Sequence, residues 1–367
     1  MSAHAFLAPS SAHIWVRCAA APGMIAAYPS CDSDASEEGT AAHWLCAERA
    51  NGVLHQVGDR APNGVLVDHE MLAASEVWMQ ALRPLLGQEW HVEERLDADP
   101  AFSPHVWGTP DLWTLANGIL DVFDFKFGHG HVDEYENWQL LAYARLIVGK
   151  LPVEPMLRLH IVQPRCFDGS GPHRVWTVPA SEVRAHFNRL ANAAAEAVRP
   201  DPPATAGLHC QHCPGRAHCA ANQRAGSHAM SEATRPAGAD LPPEALAVEL
   251  GYARRAADLL KARILALEES AAPLVRAGQL PGYEMQRTRG GSKWLVPPET
   301  VAALADSCGV NVRKPLEVMT PNQAIDAGLS EPLVKALFQR TPGAEKIVQQ
   351  RDGARVFGFT IDKSVNS

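Results

Sequence analysis

The chain has 367 residues, of which 46% are hydrophobic and 20% are charged, and its formal net charge at pH 7 is −8. This is the composition of a globular protein with one large core or two moderate ones. It excludes a protein coated in positive potential, although a local basic groove is still compatible with it. We expect no membrane span and no signal peptide, because no apolar run is long enough and no basic segment precedes one. The eight cysteines then indicate a reducing cytoplasm, where clustered thiols more often bind metal than form disulfides.

The predicted elements of the first two thirds of the chain alternate between helices and strands. In chain order they are a first helix capped near Ser10 or Ser11, a polar linker 31–38, helices 39–49 and 68–86, strands 89–96, 106–116 and 119–127, a helix 132–148, strands 156–163 and 175–178, and a helix 181–198. This order predicts an α/β sandwich whose mixed sheet is flanked by helices.

The last third of the chain is predicted to form a separate region. Residues 223–243 are small, polar and proline-containing, which is typical of a linker. A long amphipathic helix over 244–275, a strand-like piece over 282–296 and short helices near Pro298 and Pro321 follow. We therefore predict a first domain 1–225, a linker 226–243 and a mainly helical or mixed C-terminal domain 244–367, which could bind DNA or mediate self-association.

A predicted hairpin brings two carboxylates to face each other. The Asn-Gly pair at 117–118 is the strongest short-range signal for a two-residue turn. If the strands pair directly on either side of it, Asp111 lies opposite Asp124, and Lys126 shares the face of Asp124. Like charges roughly 5 Å apart repel each other, so a divalent cation between them would favour the arrangement. Two carboxylates and an ammonium group suit metal-assisted phosphodiester hydrolysis. The alternative is a solvated hairpin end with scattered charges.

Further side chains could complete a site around this hairpin. His43, on the helix predicted before the sheet, would suit Mn²⁺ better than Mg²⁺, unless it is a capped or core-edge histidine. Gln139 and Tyr143 are four residues apart on one helix face. They could bind a phosphate or a DNA strand, or they could form a helix surface with a half-buried tyrosine. Glu93 or Glu94 is a weaker candidate for the metal shell.

Together these residues resemble a known family. The set is His43, Gly108-x-x-Asp111, Asp124-x-Lys126 and Gln139-x-x-x-Tyr143. It is similar to the RecB-type branch of the PD-(D/E)XK nuclease superfamily over roughly residues 10–225. The resemblance implies a restriction-endonuclease-like core in which the histidine and both aspartates bind catalytic Mg²⁺ or Mn²⁺. The lysine would serve the attacking water, and the glutamine and tyrosine would position the strand. The second acid is an aspartate here rather than the commoner glutamate, and the superfamily allows either.

A second resemblance extends further along the chain. The opening Ala-Pro-Ser-Ser…Trp-x-x-Cys and the later Gly-Thr-Ala-Ala-His look like a phage and prophage family known mainly as a domain of unknown function. This resemblance continues to the Pro-Gly-Tyr at 281–283. Because that family is similar to phage recombination exonucleases, it implies a bacterial or viral source and action in the host cytoplasm.

A cysteine triplet indicates a second metal-binding region. Cys210-x-x-Cys213-x5-Cys219 supplies three thiols in ten residues, which is too tight a spacing for independent surface cysteines. A nearby histidine as the fourth ligand would make a zinc site, and a distant cysteine would make an iron–sulfur site. The candidates are His209, His212 and His218 for the first and Cys18 for the second.

The layout of one N-terminal cysteine and a C-terminal triplet resembles the iron–sulfur nucleases of the AddB and CRISPR-associated type. That resemblance implies a structural [4Fe–4S] cluster on Cys18, Cys210, Cys213 and Cys219, which joins the two ends of the nuclease domain. The remaining cysteines are expected to be buried or incidental thiols; they are Cys31, Cys46, Cys166 and Cys308.

A glycine-rich segment of the C-terminal region combines positive charge with an aromatic ring. Its candidate DNA-binding residues are Arg287, Arg289, Lys293 and Trp294. Cations neutralise phosphate and a ring can stack on an unpaired base, although an exposed hairpin with ordinary basic residues would look the same.

The expected function is that of a metal-dependent DNA nuclease, more an exonuclease than an endonuclease, in phage-type recombination or replication. Its expected partners are single- or double-stranded DNA, a single-strand annealing or binding protein, and further copies of the chain. Two alternatives stay open: a DNA-binding accessory protein with a vestigial site, and a redox or regulatory protein built on the cysteine cluster.

Overall fold

A computed structural model describes residues 5–29, 33–166, 171–233, 242–287, 292–294, 296, 298–312, 320–326, 328–340 and 345–349. The chain forms two compact units, Met1–Ala266 and Leu267–Ser367. Within the described ranges, no helix combines the length and the apolar character that crossing a membrane requires.

The first unit contains a sheet and the helices that cover it. Its elements in chain order are α1 (Ala12–Trp15), α2 (Ala21–Ala27), α3 (Asp34–Ala50), α4 (His69–Leu82), β1 (His91–Val92), β2 (Leu112–Ala116), β3 (Ile119–Phe125), α5 (Trp138–Val148), β4 (Met156–Val162), β5 (His173–Pro179), α6 (Arg184–Ala197) and α7 (Ala220–Ala233), followed by α8 (Pro243–Arg276), which contains the boundary between the units.

The five strands form one mixed sheet in the order β1-β2-β3-β4-β5. Only β3 and β4 are parallel among these neighbours, and α5 connects them, as a parallel pair requires a crossover. The predicted class, an α/β fold with a mixed sheet flanked by helices, is confirmed at this level.

The hairpin of β2 and β3 has the predicted register. Leu112 pairs with Phe123 and Trp113 with Val122. Asn117 and Gly118 both have positive φ, 54° and 73°, which is the backbone of a two-residue turn whose twist matches the strands. The local signal was sufficient here because glycine and asparagine tolerate this conformation.

The two faces of the sheet bury separate apolar clusters. On one face Leu120 and Val122 pack with the buried side of α5, and we call this the α5 face. On the other face Leu112 and Phe123 pack against α3 and α4. The alternation of side chains along a strand therefore assigns each residue of β3 to one of two environments.

Several predicted boundaries were wrong for identifiable reasons. Strand β1 ends at Val92 because Glu93 has a φ of 49°. Helix α5 begins at Trp138 rather than at residue 132, because the Asn137 side chain caps it by accepting from the backbone of Gln139 and Leu140. Helix α3 begins at residue 34, inside the predicted linker 31–38, and Ser33 caps it.

The predicted linker 226–243 also begins in helical structure, because α7 extends to Ala233. The alanine-rich composition of this stretch favours a helix more than its small, polar residues favour a linker. Residues 234–241 lie outside the described part of the chain. The predicted division into three parts stays a prediction.

The second unit is a mixture of short helices and strands. They are β6 (Tyr283–Arg287), β7 (Ser292–Trp294), α9 (Pro298–Ser307), α10 (Pro321–Asp326), α11 (Glu331–Leu337), β8 (Phe338–Arg340) and β9 (Glu345–Gln349). β6 pairs with β9 and β7 pairs with β8, both antiparallel. A small buried cluster that includes Val301, Val312 and Val334 packs the helices.

Candidate metal site on the α5 face

The two aspartates of the hairpin lie across from each other. Asp111 comes one residue before β2, and one further step of the observed ladder sets it opposite Asp124. Asp111 Oδ2 accepts a hydrogen bond from the backbone N–H of Phe125 at 2.6 Å. Asp124 shares the strand face of Val122 and is 2% exposed. Both carboxylates therefore reach the end of the sheet that α5 covers.

His43 joins this pair from α3. Its Nδ1 lies 3.1 Å from Asp111 Oδ1, and its ring meets the Phe125 ring edge-on at 5.2 Å. Burial lowers the pKa of His43, but the Asp111 carboxylate outweighs burial and the net shift is upward. In return, burial raises the pKa of Asp111 while His43 lowers it, and the net shift is downward. Each group stabilises the charged form of the other.

Asp124, Lys126 and Gln139 form a triangle of hydrogen bonds. Asp124 Oδ1 accepts from Lys126 Nζ at 3.0 Å and from Gln139 Nε2 at 2.8 Å, and Lys126 Nζ also donates to Gln139 Oε1 at 3.0 Å. Asp124 Oδ2 lies 2.9 Å from the same ammonium group, so Lys126 is paired with both oxygens of the carboxylate.

The charges in this triangle are coupled. Burial raises the pKa of Asp124 more than Lys126 lowers it. Burial also lowers the pKa of Lys126, but the carboxylates of Asp124 and Asp111 outweigh it, and the net shift is upward. The ammonium group is therefore held in its charged form beside the buried oxygen.

Tyr143 supports the segment that leads into Asp111. Its hydroxyl donates to the backbone carbonyl of Thr109 at 3.0 Å, and the residue is 5% exposed. A Cβ on Gly108 would lie 2.9 Å from Pro9 Cδ and 3.1 Å from the Tyr143 ring, so only glycine fits there. Tyr143 thus holds the turn before Asp111, and Gln139 holds Asp124 and Lys126. Direct contact of either side chain with a DNA strand stays a prediction.

One set of ligand atoms is spaced for a metal ion. Among the described residues, His43, Glu93 and Asp111 are the one group of three whose ligand atoms all lie within 4.8 Å of one another. An octahedral Mg²⁺ or Mn²⁺ with ligands at about 2.1 Å needs separations of about 3 to 4 Å, and it favours carboxylate oxygens. The donor types fit such an ion. Asp124, predicted from the sequence as a ligand together with His43 and Asp111, is not a member of this group of three.

The sequence left Glu93 and Glu94 as candidates for the metal shell, and Glu93 is the one that lies at the site. Its backbone N–H donates to the Asp111 carbonyl at 3.2 Å, which draws it to the site. Burial, followed by the Asp111 charge, raises the pKa of Glu93 to about 7. Glu94 pairs with His91 Nδ1 at 2.5 Å instead. The positive φ at Glu93 could not be read from the sequence, because glutamate rarely adopts it.

An arginine that the sequence reasoning missed anchors the chain just after Lys126. Arg165 is buried, and its guanidinium stacks over the Phe127 ring at 3.5 Å. It pairs with Glu38 of α3 at 2.8 and 3.1 Å and with Glu70 of α4 at 2.8 and 2.9 Å. Glu38 and Glu70 are far from Arg165 in sequence, so no local sequence pattern predicts these ion pairs.

The four predicted cluster cysteines line one cavity. A cavity of about 180 Å³ is bordered by Cys18, Cys210, Cys213 and Cys219 together with apolar side chains. Burial, followed by nearby groups, raises the pKa of the Cys213 thiol to about 11 and also raises that of Cys210. Backbone N–H groups of residues 205 and 207 lie 3.4 Å from the sulfurs of Cys18 and Cys210.

Two of the alternative histidine ligands, His209 and His218, also line this cavity. His209 Nε2 lies 2.9 Å from the Thr205 carbonyl, His218 stacks on Tyr28 at 4.2 Å, and His212 meets the His13 ring at 5.8 Å. Cys18 as the fourth member of the triplet stays a prediction.

The other cysteines and the C-terminal residues predicted from the sequence lie partly inside and partly outside the part of the chain that the structure describes. Cys46 and Cys166 are buried and Cys308 is exposed, while Cys31 lies outside the described residues. Arg289 is also outside them, and the side chains of Arg287, Lys293 and Trp294 are not described although their backbones are in strands. Their predicted contact with DNA stays a prediction.

The fold and this site define a mixed α/β protein with a group of carboxylates, a lysine and a histidine, which ranges from buried to exposed, at one end of its sheet. The chain belongs to a family described as "Protein of unknown function (DUF2800)", which matches residues 4–355. The predicted membership in a family of unknown function is confirmed to this extent. The match spans almost the whole chain, so both units belong to the family.

Proposed function

We propose that this protein is a metal-dependent DNA nuclease of the PD-(D/E)XK class, acting as an exonuclease in phage-type recombination or replication. The observation that carries the proposal is the placement of Asp111, Asp124 and Lys126 at one end of the sheet, with the Lys126 ammonium 2.9 Å from the buried Asp124 Oδ2. Two carboxylates and an ammonium group in one place are the groups that metal-assisted phosphodiester hydrolysis uses.

His43, Glu93 and Asp111 would hold Mg²⁺ or Mn²⁺, with Asp124 beside them. When bound, such an ion polarises a phosphoryl oxygen and acidifies a water molecule. Lys126 brings a fixed positive charge to the place where negative charge develops on the phosphate. Gln139 orients both Lys126 and Asp124, so neither group needs to reorganise during the reaction.

We propose further that the cysteine cavity holds a [4Fe–4S] cluster rather than zinc. Thiolates around one tetrahedral zinc ion lie about 3.8 Å apart, given a Zn–S distance of about 2.3 Å. Within the described residues the four thiols do not form a group with all sulfurs inside 4.8 Å. A cavity of about 180 Å³ also exceeds the space of one ion. A cluster of this kind would connect residue 18 to residues 210–219.

The proposal includes the partners expected from the resemblance. DNA is the substrate, a single-strand annealing or binding protein is the functional partner, and the reducing cytoplasm of a bacterial host would keep the thiols available for iron. Self-association is a further expectation, and no described contact bears on it.

The test is cleavage of end-labelled single- and double-stranded DNA by anaerobically purified protein in Mn²⁺ or Mg²⁺, with the visible spectrum recorded on the same sample. We expect Asp124→Ala and Lys126→Ala to lose about 10²- to 10³-fold in rate while the fold is kept, because removing one preorganised group from a site has that cost. Lys150→Ala, which changes an exposed lysine, is the matched control.

Undiminished cleavage by either variant would remove the nuclease assignment. Metal-independent DNA binding by a wild-type protein that does not cleave would favour the accessory-protein alternative. A brown sample with visible absorbance supports the cluster, and a colourless sample with stoichiometric zinc contradicts it.

A further inference from the structure

Helix α8 carries an apolar stripe with the spacing of a coiled coil. From Leu246 onwards, apolar residues recur at alternating intervals of four and three, which gives the period of 3.5 that keeps two helices in contact. The first residues of this stripe are Leu246, Leu250, Ala253, Ala257, Leu260 and Ile264. The pattern continues with leucine, alanine and leucine at positions 267, 271 and 274, so it spans about four heptads. We call these positions the heptad seam.

The large side chains of the heptad seam are mostly exposed. Five of them have exposed fractions between 43% and 56%. They are Leu246, Leu250, Ile264, Leu267 and Leu274, while Leu260 is half-buried. Single exposed leucines are ordinary on a protein surface, but a continuous apolar strip marks an interaction surface. The seam is therefore a candidate contact for another molecule.

The opposite face of α8 is already packed. Ala262 and Ala266 have no exposed surface, and the Asn222 side chain of α7 donates to the Ala262 carbonyl at 3.5 Å. A Cβ on Gly226 of α7 would lie 2.6 Å from Arg263 Cγ, so the two helices are in close contact. At about 100° per residue, Ala262 points about 170° away from the middle of the heptad seam. A second helix can therefore bind along the seam without displacing α7.

The first turns of α8 are exposed on all sides. Every residue from 246 to 255 is exposed, including the seam positions among them. A helical segment of this length is marginal in water, because most of the stability of a helix in a protein comes from packing of its apolar face. A partner helix on the heptad seam would supply that packing.

The charges beside the heptad seam suit a second copy of α8 that runs in the same direction. In a parallel, in-register pair, position g of one helix lies near position e of the other, five residues further on. Glu249 then faces Arg254 of a second copy. Arg263 and Glu268 repeat this pairing two heptads later. A fully overlapping antiparallel pair would instead bring Lys261 of both copies close together, which is unfavourable.

We propose that α8 pairs with α8 of a second copy of this chain, as a parallel two-helix coiled coil along the heptad seam. The seam is about 42 Å long, and a contact about 11 Å wide on each helix buries about 900 Å² in total. This area is at the low end for a specific interface, so we expect a dimer that dissociates on dilution. The inference specifies the surface for the self-association expected from the sequence, and it does not depend on the nuclease chemistry.

The test is sedimentation equilibrium of the purified full-length protein between about 1 and 100 µM, where wild type should shift from monomer to dimer. Leu250→Glu places two like charges inside the seam and should weaken dimerisation about 100-fold or more. Val248→Glu is the matched control, because it adds the same charge two residues away, at a side chain that is 58% exposed but off the seam. It should stay within about twofold of wild type. Far-UV circular dichroism checks that both variants are folded.

An exchange of charges tests the direction of the two helices. Arg254→Glu sets two acidic groups against each other in a parallel pair and should weaken dimerisation about 3- to 10-fold. Adding Glu249→Arg to this variant restores opposite charges and should return the dissociation constant to within about twofold of wild type. Both positions are exposed, so the fold should tolerate the exchange.

The inference is overturned if wild type stays monomeric at every concentration, or if Leu250→Glu dimerises as wild type does, because the copies would then meet at another surface. It is also overturned if Val248→Glu weakens the dimer as much as Leu250→Glu does. A double variant that fails to regain the affinity lost by Arg254→Glu contradicts the parallel arrangement. Each of these results leaves metal-dependent cleavage, and with it the proposed function, to be decided separately.

Discussion

Strand β3 carries two buried aspartates three residues apart, and their surroundings differ in one decisive respect. Asp121, on the face that packs against α3 and α4, is paired at both oxygens: Arg158 Nη2 donates to Oδ2 at 2.7 Å, and His160 Nε2 lies 2.8 Å from Oδ1. Burial raises the pKa of Asp121, but these partners outweigh it and the net shift is downward. Asp124, on the α5 face, shares one ammonium group between its two oxygens, and the net shift of its pKa is upward because burial, with the Asp111 carboxylate, outweighs its partners.

The difference separates a carboxylate whose charge is favoured by its surroundings from one whose charge is disfavoured by them. A bound cation would favour the ionised form of Asp124, because an opposite charge nearby offsets the cost of burial. The thiols of the cysteine cavity resemble Asp124 in this respect, because burial raises the pKa of Cys210 and Cys213.

The largest effect is expected at the cysteine cavity. Cys213→Ser should remove the cluster and lower the free energy of unfolding by about 5 kcal/mol, the loop-closure value for a crosslink that joins residues almost two hundred positions apart. Iron and sulfide content, visible absorbance and urea denaturation measure the change. Cys46→Ser, at a buried cysteine away from the cavity, isolates the cost of burying a hydroxyl group. If Cys213→Ser and Cys46→Ser had equal free energies of unfolding, the comparison between the cysteine cavity and Asp124 would not hold.

A smaller effect should separate the two aspartates themselves. Asp121→Asn should lower the free energy of unfolding by about 2–3 kcal/mol, because Arg158 and His160 lose their charged partner; the figure is reduced for the partial exposure of Arg158. Asp124→Asn should lower it by less, about 1–2 kcal/mol, because the loss of the charge that faces Lys126 is partly offset by relief of the repulsion from Asp111, and the amide oxygen can still accept from Gln139.

Metal binding should show the opposite order for the same two variants. Addition of Mn²⁺ should raise the melting temperature of wild type and of Asp121→Asn, and should raise that of Asp124→Asn less, since a ligand that binds only the native state stabilises it and the Asp124 carboxylate is proposed to lie beside the ion. Thermal unfolding with and without Mn²⁺ provides the measurement. If Asp121→Asn lost the Mn²⁺ response and Asp124→Asn kept it, the roles assigned to the two faces would be reversed.

The smallest effect is a pH dependence of stability from His173. Burial, followed by His160 and Arg174, lowers the pKa of His173 to about 4, and its Nε2 lies 2.9 Å from His160 Nδ1. A histidine with a depressed folded pKa contributes stability that is present above about pH 6.5 and is lost as the pH falls towards 4. The other charged groups near this histidine pair are Asp121, which is hydrogen-bonded to His160, and Arg158, which is paired with Asp121.

His173→Gln should therefore flatten the decline of the free energy of unfolding between pH 7 and pH 4. The expected difference is about 1 kcal/mol, because His173 is partly exposed and solvent screens its charge. Urea denaturation at several pH values measures it. If the free energy of unfolding fell with pH in parallel for the variant and wild type, the His160–His173 pair would not contribute to stability through the hydrogen bonds around Asp121.

How far the sequence could predict this molecule depends on whether a feature is local. The Asn-Gly turn sets the hairpin register, and the register in turn sets which side chains share a face, so Asp111, Asp124 and Lys126 could be placed together from sequence alone. The end of β1 could not, because glutamate rarely adopts the positive φ of Glu93, whereas the Asn137 cap at the start of α5 is a local signal that the sequence does contain.

By itself the sequence determined the alternation of elements, the hairpin and the residue types that converge on one end of the sheet, since these follow from turn chemistry and the period of two along a strand. Only the tertiary structure decided which polar groups are satisfied: that Tyr143 holds a backbone carbonyl, that Glu93 rather than Glu94 joins the site, and that Arg165 links two helices behind it. Such choices depend on contacts between residues distant in sequence, and on what burial does to each charge once those contacts have formed.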